Sequence, residues 1–205
     1  GGGFGAQHSQ SLEAWFLHVP GLKVVAPSSV KDAAGLLVAA VRDDDPVVYL
    51  EHRGLYWNKG LGAPDETPTS IGTAAVVRSG SDVTVVAVSR MVEVAVSAAE
   101  KLAEDNIDVE VLDLRSVAPI DWATIDESVR RTRRLVVAHE AVVTGGLGAE
   151  LVAGVHATAF EALVSPALRV GAPSAPVPAS PFLERLYVPD TDDVVSAVLK
   201  TMQER

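Results

Sequence analysis

Hydrophobic and polar positions divide the chain into short segments of alternating period. Leu12, Trp15, Phe16 and Val19 recur at helical spacing, which predicts an amphipathic helix over 11–18, stopped by Pro20-Gly21, with Trp15 and Phe16 turned to the core. The β-branched run at 22–26 predicts a buried strand. Ser29 and Asp32 have the spacing of a capping box, and Leu36, Leu37, Ala40 and Val41 continue a helix from there. Pro46 then admits a strand over 47–50. Residues 58–72 lose periodicity and collect Gly and Pro, which marks a linker. Beyond it, predicted strands at 82–88, 109–114, 135–138 and 167–170 alternate with helices at 91–104, 122–131, 147–163 and 194–203. Such alternation implies right-handed crossovers and a mainly parallel sheet. The chain reads as α/β, with a first segment at 1–57, a linker at 58–72 and a self-sufficient domain at 73–205. The first segment holds only strands and helices from the end of a domain, so its sheet is expected to lack its beginning.

Composition narrows the function classes. The chain has 48% hydrophobic and 21% charged residues, an ordinary globular balance that supplies a sizeable core. No apolar run approaches the roughly eighteen residues of a membrane span, and the first residues lack the basic and apolar regions of a secretion signal. A soluble intracellular protein is the expectation. The absence of cysteine excludes disulfides, thiolate catalysis and cysteine-ligated metal. A formal charge of -10 argues against nucleic-acid binding and suits a basic protein partner. Arg130-Arg131-Thr132-Arg133-Arg134 is the basic exception, and it falls where a helix C-terminus favours positive charge. An anion site is its other reading.

Candidate chemistry concentrates at the start. His8 follows a glycine run and sits among small polar residues, in a loop able to fold tightly around a ligand or another chain. Imidazole can donate and accept a proton near neutral pH. Asp43, Asp44 and Asp45 crowd the end of a predicted helix, where acidic side chains are unfavourable unless a cation joins the free carbonyls there. A solvated acidic turn is the alternative. Gly145-Gly146-Leu147-Gly148 opens a helix and suits close packing or a subunit contact better than an anion. His139-Glu140, after a buried strand, is either a satisfied boundary pair or an acid/base pair. Glu51-His52-Arg53 also follows a strand, and adjacency alone does not show convergence. No Ser-His-Asp order, His-Glu-x-x-His or Walker loop is evident.

Taken in order, Ala6-Gln7-His8-Ser9-Gln10-Ser11, Pro20-Gly21-Leu22-Lys23-Val24-Val25, the turn from Arg42 to Pro46, Asp113-Leu114-Arg115 and Gly145-Gly146-Leu147-Gly148-Ala149-Glu150 resemble one family over nearly the whole chain. It is the β subunit of the thiamine-diphosphate-dependent first component, E1, of the 2-oxo acid dehydrogenase complexes. The resemblance implies a three-layer αβα fold. Residues 1–57 would be the C-terminal part of a transketolase pyrimidine-binding domain and 73–205 the transketolase C-terminal domain. It implies oxidative decarboxylation of a 2-oxo acid with acyl transfer to a lipoyl group, thiamine diphosphate acting as electron sink. His8 matches the family's acid/base histidine. Ala40 and Val41, through their carbonyls, match potassium ligands together with Asp43 and Asp45.

The resemblance places the sites for diphosphate and magnesium on the E1 α subunit and the family's ylid-forming glutamate before Gly1, so the chain reads as a truncated piece, inactive alone. The implied partners are the E1 α subunit, a second β subunit, and the peripheral subunit-binding and lipoyl domains of the E2 acyltransferase, with no membrane or nucleic acid. The implied setting is a bacterial cytoplasm or a mitochondrial matrix, the bacterial one favoured. Glu51-His52-Arg53-Gly54-Leu55-Tyr56 leans toward pyruvate or acetoin rather than branched-chain substrates. Two rival readings are a non-catalytic dimerisation and E2-docking module and an unrelated small-molecule-binding α/β domain.

Overall fold

In the computed structural model, residues 1–60 and 68–203 are described, so 61–67 of the predicted linker lie outside the described residues. The chain opens with a glycine-rich loop, a single turn α1 (Gly5–His8) and the short helix α2 (Glu13–Leu17). Strand β1 (Lys23–Val25), helix α3 (Val30–Arg42) and strand β2 (Val47–Tyr49) follow. Ser29 caps α3, its hydroxyl accepting from the Asp32 N–H at 3.1 Å and donating to the Asp32 carboxylate at 2.7 Å, as the spacing predicts. The second part runs β3 (Ala75–Arg78), β4 (Val83–Ala87), α4 (Met91–Ala103), β5 (Val109–Asp113), β6 (Ser116–Ala118), α5 (Trp122–Thr132), β7 (Leu135–Val142), α6 (Leu147–Ala159), β8 (Leu168–Ala172), α7 (Pro181–Tyr187) and α8 (Thr191–Gln203). Among the described residues no helix is long and apolar enough to cross a membrane.

A five-stranded sheet in the order β3-β5-β4-β7-β8 forms the body, parallel throughout except for the antiparallel edge strand β3. Successive side chains of a strand face opposite ways, and β4 separates two cores accordingly. Val83, Val85 and Ala87 pack with α4 and α8, while Val86 and Val88 join Ile125 and Val129 of α5 and Leu151 and Val155 of α6. Helices on both faces of a parallel sheet make the three-layer α/β arrangement.

A second sheet, β2-β1-β6, ties the two parts together: β1 pairs parallel with β2 and antiparallel with β6. Arg115 makes this possible by adopting a left-handed φ of 53°, which turns the chain between β5 and β6. Its guanidinium then reaches back to the Asp32 carboxylate at 3.1 Å and the Ala74 carbonyl at 2.9 Å.

Beside this latch, Asp113 is fully buried, accepting from the Ser28 hydroxyl and from the Arg115 N–H at 2.9 Å. Burial pushes its carboxyl up to about 6, against the opposing pull of those two donors. The folded protein therefore holds this proton more tightly than the unfolded chain between about pH 4 and 6, and stability falls as pH rises through that window. In Asp113→Asn the amide oxygen still accepts from Arg115 and the amide N–H faces the Ser28 oxygen. The variant is expected to match the parent at pH 4 and exceed it by about 1–3 kcal/mol at pH 7, read by denaturant unfolding at successive pH values.

Three expectations need correction. Trp15 is 70% exposed, with Leu12 and Val19 also outward, and only Phe16 and Leu17 reach the core. The apolar stripe of so short a helix splits between two sides, and positions 12, 15 and 19 form the outer one. The helix predicted over 147–163 ends at Ala159, a 3₁₀ turn over Phe160–Ala162 replacing its last part. The strand predicted over 135–138 extends to Val142, because β8 continues beside it and re-pairs Val142 with Ala172.

Candidate active site

Ala26, Leu50 and Val88 follow the parallel strands β1, β2 and β4, Glu140 lies near the end of β7, and all line one hollow of about 270 Å³. Ligand sites of open α/β sheets gather outside such strand ends. His8 stands at its rim, exposed, and also borders a wider hollow of about 690 Å³ that reaches Gly145, Gly146 and Tyr187.

The loop that carries His8 is held from within. Gly2, Gly3 and Gly5 have φ of 130°, 79° and 67°, a conformation that side-chain-bearing residues rarely adopt. Ser9 is buried, its hydroxyl accepting from the Phe4 N–H at 3.0 Å and its carbonyl from the Gly1 nitrogen at 3.0 Å. The Arg53 guanidinium lies 4.1 Å over the Phe4 ring.

Glu140 is the electrostatic centre of the hollow. His52 Nδ1 accepts from the Gly54 N–H at 3.1 Å, so Nε2 carries the hydrogen and donates to Glu140 at 2.8 Å. Arg90 donates to the other carboxylate oxygen at 2.7 Å, and the Gly1 nitrogen lies 3.1 Å from the first. Burial alone would raise this carboxyl, but the hydrogen bonds from His52 and Arg90 outweigh it and hold it well below the usual carboxylate range. Glu13, buried in the same wall, goes the other way: burial pushes it up, its own backbone N–H offsets part of that, and the charge of Glu140 adds to the rise.

The His139-Glu140 pair does not form, because neighbours on a strand face opposite sides. Glu140 is satisfied by other groups, whereas His139 is fully buried with neither ring nitrogen hydrogen-bonded among the described residues. Burial pushes that imidazole down to about 4, the Arg169 charge adding to the effect, so it is neutral. The glycines at the start of α6 give it room. A Cβ on Gly148 would lie 2.7 Å from His139 Nε2, and one on Gly146 would lie 2.8 Å from Cε1. Close packing accounts for that glycine loop.

The arginine cluster at the end of α5 is likewise structural. Arg130 pairs with Glu161 at 2.6 Å, Arg131 with the buried Glu110, and Arg133 and Arg134 donate to the carbonyls of Ala162 and Thr201.

At the end of α3 a cation is present in the chain itself. Parallel pairing sets Lys23 opposite Val47, and its ammonium lies 2.7 Å from Asp43 and 3.0 Å from Asp45. The Asp43 carboxyl is lowered, the Lys23 hydrogen bond being the chief cause. Ala40 is half-buried and Val41 exposed in the last turn above them. Among the described residues no group of three or more acidic or histidine side chains could hold a metal by side chains alone. Sequence reasoning did not single out Arg90, Glu13 or Glu184 as site residues. Position offered a signal for the first, since Arg90 follows a predicted strand on the same side of the sheet as His52 and Glu140.

A parallel sheet covered on both faces, joined through β1 to a second sheet and bearing a histidine loop at its strand ends, defines a transketolase-like α/β protein. Residues 72–194 match the family described as transketolase, C-terminal domain, and residues 1–58 match transketolase, pyrimidine binding domain. The chain belongs to the transketolase family. It is 46% identical over 199 residues to the mitochondrial pyruvate dehydrogenase E1 component subunit beta-2 of Oryza sativa subsp. japonica, covering 95% of this chain and 53% of that protein. It is 43% identical over 205 residues to the acetoin:2,6-dichlorophenolindophenol oxidoreductase subunit beta of Cupriavidus necator, covering 99% and 61%. The solved structure titled "Split gene transketolase, inactive beta4 tetramer" superposes with a TM-score of 0.83 at 29% identity, over 98% of this chain and 65% of the other. The chain thus spans a little over half the length of the curated relatives it matches.

Proposed function

We propose that the chain is part of the β subunit of the E1 component of a 2-oxo acid dehydrogenase complex, with pyruvate the leading substrate. The whole enzyme would decarboxylate the 2-oxo acid oxidatively and pass the acyl group to the lipoyl domain of E2. The observation that carries this reading is the placement of His8, exposed on a braced loop over a hollow at the strand ends.

Thiamine diphosphate would supply the electron sink. The hollow carries Glu13, Glu51 and Glu140 beside Arg53 and Arg90, and Arg90 is paired with Glu140, so its described lining gathers no cluster of cations for a diphosphate. This supports a division in which the chain faces the thiazolium end while the E1 α subunit holds the diphosphate and magnesium. The part left to this chain is to hold and move a proton at an imidazole nitrogen of His8. The outward row Leu12, Trp15 and Val19 is an apolar surface consistent with contact to the α subunit or a second β subunit. Docking of the E2 peripheral subunit-binding domain belongs to the same reading.

The test assembles the whole subunit with its α partner, thiamine diphosphate and magnesium, and measures carbon dioxide release. Turnover of pyruvate is expected from the assembly and none from residues 1–205 alone. Release from the isolated chain, or an assembly inert to pyruvate, acetoin and branched-chain 2-oxo acids alike, would remove the proposal.

Potassium at the end of α3 is part of it. The carbonyls of Ala40 and Val41 and the carboxylates of Asp43 and Asp45 would supply oxygen ligands, with Lys23 competing for the two carboxylates. The assembled protein is expected to melt a few degrees higher in potassium than in sodium chloride at equal ionic strength. That difference should vanish in Asp43→Ala and widen in Lys23→Met. A difference unaltered in both variants would leave no role for these ligands.

A further inference from the structure

The glycine run before His8 is held by a carboxylate far away in the chain. The N–H groups of Gly2 and Gly3 both donate to Oε1 of Glu184, at 2.7 and 2.9 Å. Two successive backbone amides converge on one oxygen in a stretch where both glycines have positive φ, a conformation that side-chain-bearing residues rarely adopt. Glu184 is 6% exposed, and no side-chain cation pairs with it among the described residues. A carboxylate buried in that way is costly unless hydrogen-bond donors replace water, and these two amides are the donors to Oε1, while Oε2 is buried without a partner among the described residues.

Its platform is stiff. Pro181 starts α7, the Glu184 N–H donates to the Ser180 carbonyl at 2.9 Å, and the Tyr187 hydroxyl anchors the helix on the Ala175 carbonyl at 2.6 Å. The loop rests on the preceding segment too, since a Cβ on Gly5 would meet the Ala179 Cβ at 3.4 Å. From the clasped residues the connection to the histidine is short: the Gly1 nitrogen and the Phe4 N–H both bind Ser9, the residue next to His8.

We propose that Glu184 is a positioning residue for His8, fixing the glycine loop to α7 so that the imidazole stays over the hollow. The proposal rests on the acid/base reading of His8. Glu184 touches no reacting atom in this scheme and acts through Gly2, Gly3 and Ser9.

The experiment uses the whole subunit assembled with its α partner and loaded with thiamine diphosphate and magnesium. Glu184→Ala, Glu184→Asp, Glu184→Gln and His8→Ala are compared by steady-state kinetics with pyruvate and by amide hydrogen exchange over residues 1–12. Glutamine keeps an oxygen acceptor at the same reach, whereas aspartate keeps the charge and withdraws it by one methylene. The expected result is at least tenfold faster exchange at Gly2 and Gly3 in the alanine and aspartate variants. Their kcat should fall about tenfold to a hundredfold with KM within threefold, a scale set by misplacing one catalytic group. Glutamine should restore both readouts to within about threefold of the parent, and if Glu184→Ala does not assemble, the aspartate and glutamine pair decides alone.

Unchanged exchange in the aspartate variant, or a glutamine variant as impaired as aspartate, overturns the clasp. Faster exchange with parental kcat, in an enzyme that His8→Ala inactivates, overturns the positioning role. Should His8→Ala itself keep turnover, the catalytic reading of His8 and with it the positioning role fall, while exchange still decides whether Glu184 holds the loop.

Discussion

Replacing His8 with alanine is expected to lower kcat of the assembled enzyme by about a hundred- to ten-thousand-fold, the range over which a positioned acid/base group contributes. Stability should hardly change. His8 is exposed, so its removal opens no cavity, and surface substitutions of this kind stay within about 0.5 kcal/mol. The loop's shape depends on Ser9, Phe4 and the glycines and not on the imidazole. Association with E2 should also persist, which separates a catalytic histidine from a structural one and the enzyme reading from a purely docking module. Turnover above a tenth of the parent's, with intact assembly, would assign the proton transfer to another group. Glu13 would be the first to examine, since it is buried in the same wall with a raised carboxyl.

How far the sequence reveals this site depends on which distances are local. The period of β4, β5, α4, α5 and α8 is written in neighbouring residues, and those elements lie within one to three residues of the predicted bounds. Strand β3 escaped notice because it is an edge strand, with Val76 and Val77 both substantially exposed and no alternation to read. Strand β6 escaped because the run through Leu114 looks continuous until Arg115 takes a left-handed turn. Trp15 misled because an apolar position that faces outward has the same period as one that faces a core.

The cation at the end of α3 is a similar case. Three consecutive aspartates announce that positive charge is needed, but its source within the chain, Lys23, lies twenty residues away and arrives only through the β1-β2 register. Likewise the glycines around 145–148 signal close approach, while the group approaching them, His139, is identified only by coordinates. The exposed placement of His8 was legible because its neighbours, small and polar beside glycines, already describe a surface segment. Glu140 was read only as one of a pair with His139, and Glu184 lies in a stretch with no predicted element, so their reach to the His8 loop emerges only from the fold.

Removing the Glu140 carboxylate is expected to cost the most stability. In Glu140→Ala, His52 and Arg90 lose their common acceptor. The loss should be about 2–4 kcal/mol, somewhat below the usual cost of breaking a buried pair because Arg90 is partly exposed and can turn to water. Glu140→Gln keeps one oxygen acceptor and should lose about half as much. The pH dependence has a definite sign. The folded carboxyl is lowered, so its contribution is complete above the ordinary carboxylate range and disappears as pH falls through the lowered value. The parent should therefore lose stability on acidification more steeply than Glu140→Gln, the two curves converging at the acid end, as denaturant unfolding at stepped pH would record. Parallel curves would mean that the carboxylate is not stabilised in the folded state, and the bracing of the His8 loop would then rest on Glu184 and Ser9 alone.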